Sequence, residues 1–180
     1  MKRKLHLNLF IQSRGHHEAS WRHPLASPLA MTDIRYFQQL AQRAEAGLFD
    51  SIFLADTLAV WDDVERAART WLEPLTVLGA LAVSTQRIGL IATASTTYSE
   101  PFNLARQFAS LDHMSGGRAG WNIVTTWSVP AAKNFGGEGQ QSHDDRYTRA
   151  EEYLRVAKDL WDSWADDVLV DDRDSGQYAH

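Results

Sequence analysis

Apolar and polar residues alternate in two different rhythms along this chain. Leu5, Leu7, Leu9 and Ile11 share one parity, the period of a half-buried strand, and predict a first strand over 5–11. A long polar loop, 12–30, follows and holds His16, His17, Trp21, His23, Pro24 and Pro28. The rhythm then changes: Ile34, Phe37, Leu40, Ala41 and Ala44 fall on one helical stripe. Thr32 or Asp33 can cap that helix, and Gly47 stops it. A second strand is expected over 51–55, ending at Asp56, and then a loop over 57–70 with Trp61, Asp62 and Asp63. The second helix is expected over 71–85, where Pro74 fits only in the first turn. The third strand covers 88–94, with Ser95-Thr96-Thr97 as its polar end. Helix three opens at Pro101 and closes at Ser115-Gly116-Gly117. Strand four covers 118–124, and a Gly-rich loop runs over 127–142. The last helix starts at Asp144 or Asp145 and reaches Trp164, with Tyr147, Ala150, Leu154, Ala157 and Trp161 near helical spacing. The tail over 166–180 is acidic and reads as loosely ordered.

Strand and helix alternate four times, which predicts an α/β fold with a parallel sheet and right-handed crossovers. Helix-to-strand connections are short, whereas strand-to-helix connections are long and chemically varied. In a (β/α)8 barrel of the TIM type that asymmetry marks the strand-to-helix face as functional. A doubly wound sheet is the competing architecture. Its phosphate-loop glycines are missing after strand one, where Ile11-Gln12-Ser13-Arg14-Gly15 stands instead. A closed eight-stranded barrel needs about 250 residues. Residues 1–165 would therefore supply its first four βα units, followed by the acidic tail 166–180.

Composition narrows the partners. The net charge is −5 and the cationic residues are scattered, which argues against nucleic acid. The chain has no cysteine, so disulfides and thiolate metal sites are excluded and a cytoplasmic setting fits. No apolar run approaches the roughly 18 residues of a membrane helix, and the alternating start is unlike a signal-peptide core. His16, His17 and Glu18 lack a third ligand at helical or strand spacing, so no metal site is expected.

The candidate chemistry sits where a strand's polar end faces a helix start. Gly120 to Thr126 reads as a buried strand ending in hydroxyls, and His143-Asp144-Asp145-Arg146-Tyr147 as the opening turn of a helix. Such a pairing suits a phosphate-bearing ligand, because helix N-termini present free N–H groups and a favourable dipole. His143 and Tyr147 lie one turn apart on one face. Asp144 and Asp145 oppose an anion there unless they cap the helix and turn away. Asp56 is either a solvated loop carboxylate or a hydrogen-bond acceptor at a strand end. Thr93 reads first as a β-former, with its hydroxyl as a second possibility. Asn122, in an apolar strand, needs partners from neighbouring strands or a ligand. Trp61 and Trp127 are placed to line an apolar pocket.

Several of these segments carry a resemblance. They are Ala92-Thr93-Ala94-Ser95-Thr96-Thr97, Leu111-Asp112-His113-Met114-Ser115-Gly116-Gly117-Arg118, Gly120-Trp121-Asn122-Ile123-Val124-Thr125, Asn134-Phe135-Gly136, His143-Asp144-Asp145-Arg146-Tyr147 and Leu160-Trp161-Asp162-Ser163-Trp164. Ala46-Gly47-Leu48-Phe49-Asp50 with Asp56 fits the same set. In order and spacing the chain resembles the bacterial-luciferase-like flavin-dependent monooxygenases. The nearest branch is that of nitrilotriacetate monooxygenase component A, dibenzothiophene-sulfone monooxygenase and long-chain alkane monooxygenase.

The resemblance implies a (β/α)8 TIM-type barrel holding FMN at the C-terminal ends of its strands. It implies FMNH2 delivered by a separate NAD(P)H-dependent flavin reductase, O2 as co-substrate, and a C4a-peroxyflavin that oxidises a small organic substrate. It also implies a homo-oligomer. The flavin contacts it assigns are Asp56, Thr93, His143 and Tyr147; it assigns no catalytic side chain. A further phosphate-binding serine belongs to the second half of the family's barrel. Two alternatives stand beside this reading. One is a truncated, non-catalytic half-barrel, either a remnant or a subunit that completes itself by association. The other is a deazaflavin-dependent reductase of the same superfamily.

Overall fold

The computed structural model of the protein describes residues 4–68 and 72–180. Trp71, the expected first residue of the second helix, lies outside the described residues, as do the end of the loop before it and most of the basic start. Four parallel strands form one sheet in the order β1-β2-β3-β4: β1 Asn8–Ile11, β2 Ser51–Leu54, β3 Gly89–Ser95 and β4 Ala119–Val124. Three long helices connect or follow them: α1 Ile34–Ala46, α2 Pro74–Ala82 and α3 Pro101–Ser115. A short α4, Val129–Asn134, and a long α5, His143–Asp162, come after β4.

The helix ends follow local chemistry. Asp33 caps α1 by accepting the Arg35 N–H, as its side chain allows. Glu73 caps α2 through the N–H groups of Leu75 and Thr76, with Pro74 in the first turn. Gly116 closes α3 in the left-handed region at φ 70°. At the end of α1 the left-handed residue is Leu48, φ 60°, and not Gly47, φ −80°. Gly47 is needed for space, since a Cβ there would stand 3.2 Å from the Arg43 carbonyl.

Each strand divides its side chains between two faces. Ile52, Leu54, Leu90, Ala92 and Ala94 join Phe37, Val77, Leu78, Phe108 and Tyr153 in a core between sheet and helices. Trp121 reaches the same side, against Phe108 and Tyr153. The other face carries layers set by the register. Phe10, Phe53, Ile91 and Gly120 are successive partners across the four strands. The Phe10 and Phe53 rings lie 4.7 Å apart, and a Cβ on Gly120 would stand 3.0 Å from Ile91 Cγ1. This is the inner face of a barrel arc, with helices outside and layered side chains within.

The rim where strands begin is tied by charged groups. Arg118 donates to the carbonyls of Ala82, Thr85, Ile88 and Ser115 and to Thr85 Oγ1. Glu45 Oε1 accepts the N–H groups of Gln86, Arg87 and Ile88. Burial pushes the Glu45 carboxyl up, but those three backbone bonds outweigh it and hold it below the usual glutamate range.

Three expectations change. β1 begins at Asn8, where its register with β2 starts at Ser51; Leu5 and Leu7 are 81% and 42% exposed, and the Leu7 backbone is tied mainly to Asp50, its carbonyl also accepting from Ser51 N at 3.4 Å. The Gly-rich loop contains α4, capped by Ser128 with Pro130 in its first turn. The tail is ordered as an antiparallel hairpin, β5 Leu169–Asp172 and β6 Gln177–Ala179. Asp172 closes it by accepting from Asp174 N, Ser175 N and Ser175 Oγ. Among the described residues no helix is long and apolar enough to cross a membrane.

Candidate functional site at the C-terminal rim

β4 runs into Thr125 and Thr126, and the backbone there is strained. Thr126 has φ 33°, a region that β-branched residues rarely occupy. Its hydroxyl donates to Ser95 Oγ at 2.7 Å. Its carbonyl accepts from Arg146 Nη1 at 3.0 Å and from Gln140 Nε2 at 3.5 Å. Arg146 Nη1 also reaches the Thr125 carbonyl at 3.2 Å and its hydroxyl at 3.4 Å. Thr97 Oγ1 donates to the Thr125 carbonyl at 2.8 Å, and Arg149 Nε to the Thr96 carbonyl at 3.1 Å. Two arginines of α5 thus clasp the ends of β3 and β4. Arg146 is only 8% exposed, and its Nε is buried with no partner. A buried guanidinium is held there by the carbonyls it satisfies.

This clasp places the first turns of α5 over a cavity of about 850 Å³, lined among others by Asp56, Trp61, Thr125, Trp127, Tyr147 and Glu151. That volume is within the roughly 300–1,000 Å³ of small-molecule sites. Trp61 and Trp127 both line it, their rings packed against each other with centroids 5.9 Å apart. Asn134 of α4 donates to the Leu58 carbonyl at 2.8 Å, which ties the loop after β4 to the loop after β2.

The expected site residues are treated differently by the fold. Asp56 and Tyr147 line this cavity together. His143 is not in its lining; its ring stacks on Tyr147 at 4.5 Å and is largely exposed. Thr93 lies deeper, in β3, 4% exposed, where its hydroxyl accepts from Asn122 Nδ2 at 3.0 Å. Asn122 therefore finds its partner on the neighbouring strand. The tension at the helix start is relieved in part. Asp145 turns back to Ser142, accepting its hydroxyl at 2.6 Å while its own N–H bonds to Ser142 Oγ. Asp144 points to solvent, 99% exposed, and touches His143 Nδ1 at 3.1 Å. His16 packs edge-on against Phe10 at 4.7 Å, near the Phe10 carbonyl.

Arg146, Glu151 and the α4 platform were not anticipated. Ser128 followed by Val129-Pro130 is a helix-start signal that could have revealed α4. Nothing in the sequence separates Arg146 from its solvated neighbours on α5. The groove continues beyond the rim: Ile123 and Leu154 also line a second cavity, with Trp121, Trp161 and Trp164, along the edge of β4 that is unpaired among the described residues.

The comparisons with known proteins agree with this arc. The chain is 50% identical over 98% of its length to N-acetyl-S-(2-succino)cysteine monooxygenase of Bacillus subtilis (strain 168), and covers 40% of that protein. It is 44% identical over 98% of its length to nitrilotriacetate monooxygenase component A of Aminobacter aminovorans, and covers 42% of it. Among solved structures, a riboflavin lyase holding a modified FMN and riboflavin superposes with a TM-score of 0.89 at 36% identity, over 99% of this chain and 42% of that one. The chain thus spans about two fifths of the length of these relatives. The family model of luciferase-like monooxygenases matches residues 7–173, and with these relatives and the barrel arc it shows that the chain belongs to that family.

Proposed function

We propose that residues 1–180 form one wall of the reduced-FMN site of a monooxygenase acting on a small organic substrate. The observation that carries this reading is the aromatic cavity at the C-terminal rim, where Asp56, Trp61, Trp127 and Tyr147 converge. The residues fit a flavin ring. Two indoles and a phenol offer flat apolar walls, while Asp56 and the Thr125 and Thr148 hydroxyls offer hydrogen bonds at their edge. They fit a phosphate less well, because Asp144 and Asp145 bring two carboxylates to the N-terminus of α5. Asp56 and Tyr147 would hold the ring in this cavity, with His143 stacked on Tyr147 just outside its lining. Thr93 would contribute from deeper in β3, where its hydroxyl accepts from Asn122 Nδ2.

When bound, FMNH2 would supply the electrons with which O2 oxidises the substrate. This chain's part is to bind the ring, hold its edge and keep water out with Trp61 and Trp127. The relatives support the reading: two are named monooxygenases, one of them a component A, and a structural neighbour holds a modified FMN. A separate NAD(P)H-dependent reductase would deliver the flavin, in the cytoplasm, to a homo-oligomer. A second reading rests on the open β4 edge and its apolar groove. It is a half-barrel without activity until another half covers that edge.

The test couples the protein to a flavin reductase, NADH and O2. Substrate-dependent oxygenation, with a larger hydrogen peroxide share in Trp127→Ala, supports the first reading. Peroxide alone in both proteins, with carboxylated, sulfur-containing and aliphatic compounds each offered as substrate, counts against it. Turnover with a reduced deazaflavin and not with FMNH2 would favour the reductase alternative.

A further inference from the structure

The loop between β1 and α1 carries a concavity of its own, of about 730 Å³. Arg14, His17, Arg22 and His23 line it with Ser20, and no carboxylate does. That is a local excess of positive charge in a chain whose net charge is −5. The nearest acid in sequence, Glu18, lines a neighbouring hollow with His16 and His17.

The loop's hydrogen bonds set these side chains as donors. Ser20 Oγ donates to the Gly15 carbonyl at 3.1 Å and folds the loop back on itself. Gly15 stands at φ 130°, and a Cβ there would come within 2.9 Å of Ser20 Cβ. The Ala19 N–H donates to His17 Nδ1, and the Leu25 N–H to His23 Nδ1, both at 3.1 Å. An Nδ1 that accepts carries no proton, so each neutral ring keeps its N–H on Nε2. Arg14 spends one Nη2 bond on the Leu29 carbonyl, and its Nε is buried without an acceptor. The ion pairs seen among the described residues include none of these four, while Glu18 has an interaction of its own.

Donors in surplus and acceptors absent define an oxyanion site. Guanidinium forks match carboxylates in pairs, and the hollow is too large for a single small anion. We propose that this loop binds a small molecule bearing two or more carboxylates, through Arg14 and Arg22 with the Nε2–H groups of His17 and His23. Trp21 Nε1 bonds to the Arg66 carbonyl at 2.9 Å, which joins this loop to the loop that carries Trp61. Binding at this loop does not rest on the flavin reading.

The test is calorimetric titration of the full chain, without flavin, by citrate, acetate and inorganic phosphate at low salt. The expected result is one citrate per chain, at least tenfold tighter than acetate or phosphate. Arg22→Gln, at an exposed position, should weaken citrate at least tenfold with an unchanged circular dichroism spectrum. The double variant His17→Gln/His23→Gln should weaken it further. Lack of saturable citrate binding, or equal affinity in both variants, overturns the site. Phosphate binding more tightly than citrate overturns the polycarboxylate assignment.

Discussion

Replacing Arg146 by Met removes the clasp between α5 and the end of β4 while keeping an unbranched side chain of helical propensity. Three acceptors lose their donor: Thr126 O, Thr125 O and Thr125 Oγ1. Thr125 O keeps the Thr97 hydroxyl at 2.8 Å, whereas Thr126 O keeps only the marginal Gln140 contact at 3.5 Å. Essentially one buried carbonyl is orphaned. A hydrogen bond from a charged group contributes about 1.5–3 kcal/mol. Losing the buried charge and its unpartnered Nε offsets part of that. The net cost is about 2 kcal/mol, which at a urea m-value of about 2 kcal/mol/M lowers the midpoint by about 1 M. Urea unfolding followed by tryptophan fluorescence reads the shift. Since Thr126 is then no longer held at its strained φ, flavin affinity should also fall about tenfold, a loss of about 1.4 kcal/mol. A midpoint within about 0.2 M of the parent, with unchanged flavin affinity, would show that the clasp does not hold the rim.

The opposite rim should respond differently. Arg118→Met removes bonds to four carbonyls and a hydroxyl, and should cost at least about 3 kcal/mol in urea unfolding while the folded fraction binds flavin as before. Gly120→Val drives its Cβ toward Ile91 Cγ1 and should cost about 1–3 kcal/mol in thermal unfolding, because the inner layer has no room for it. Acid and base probe two further groups. The Glu45 carboxyl is lowered on folding, so its stabilisation is full above the ordinary value of 4.5 and is lost as pH falls through the folded value; Glu45→Gln should flatten that part of the stability–pH curve. Burial pushes the Tyr153 phenol up to about 12, with the Glu100 charge adding to it, so the unfolded chain loses its proton first and stability declines from pH 10 toward 12. Tyr153→Phe should reduce that decline, leaving the part due to Tyr36, whose phenol is also pushed up by burial, as read by urea midpoints across the range.

Elements whose ends are set by local chemistry were legible. Asp33 capping α1, Pro74 in the first turn of α2 and Gly116 closing α3 each act within a turn of themselves, although α2 runs only over Pro74–Ala82. The start of β1 was not, because alternation alone cannot say how far toward Leu5 the partner strand extends. The hairpin at 169–179 was hidden by its acidic composition, although Asp172 and Gly176 are turn residues. In the site, the resemblance singled out Asp56 and Tyr147, and their place on strand-to-helix loops singled out Trp61 and Trp127; that all four line one cavity is a tertiary fact. The buried position of Arg146 depends on where α5 lands relative to β4, a tertiary fact with no local signature. The anion hollow depends in the same way on a loop folding back through Ser20 and Gly15.

The most direct test of the central claim is an anaerobic titration of the 180-residue chain with reduced FMN, with its mass in solution determined alongside. The account predicts saturable binding that quenches tryptophan fluorescence and weakens at least tenfold in both Tyr147→Ala and Asp56→Ala. A folded chain that binds no reduced FMN, or binds it equally well in both variants, would contradict it.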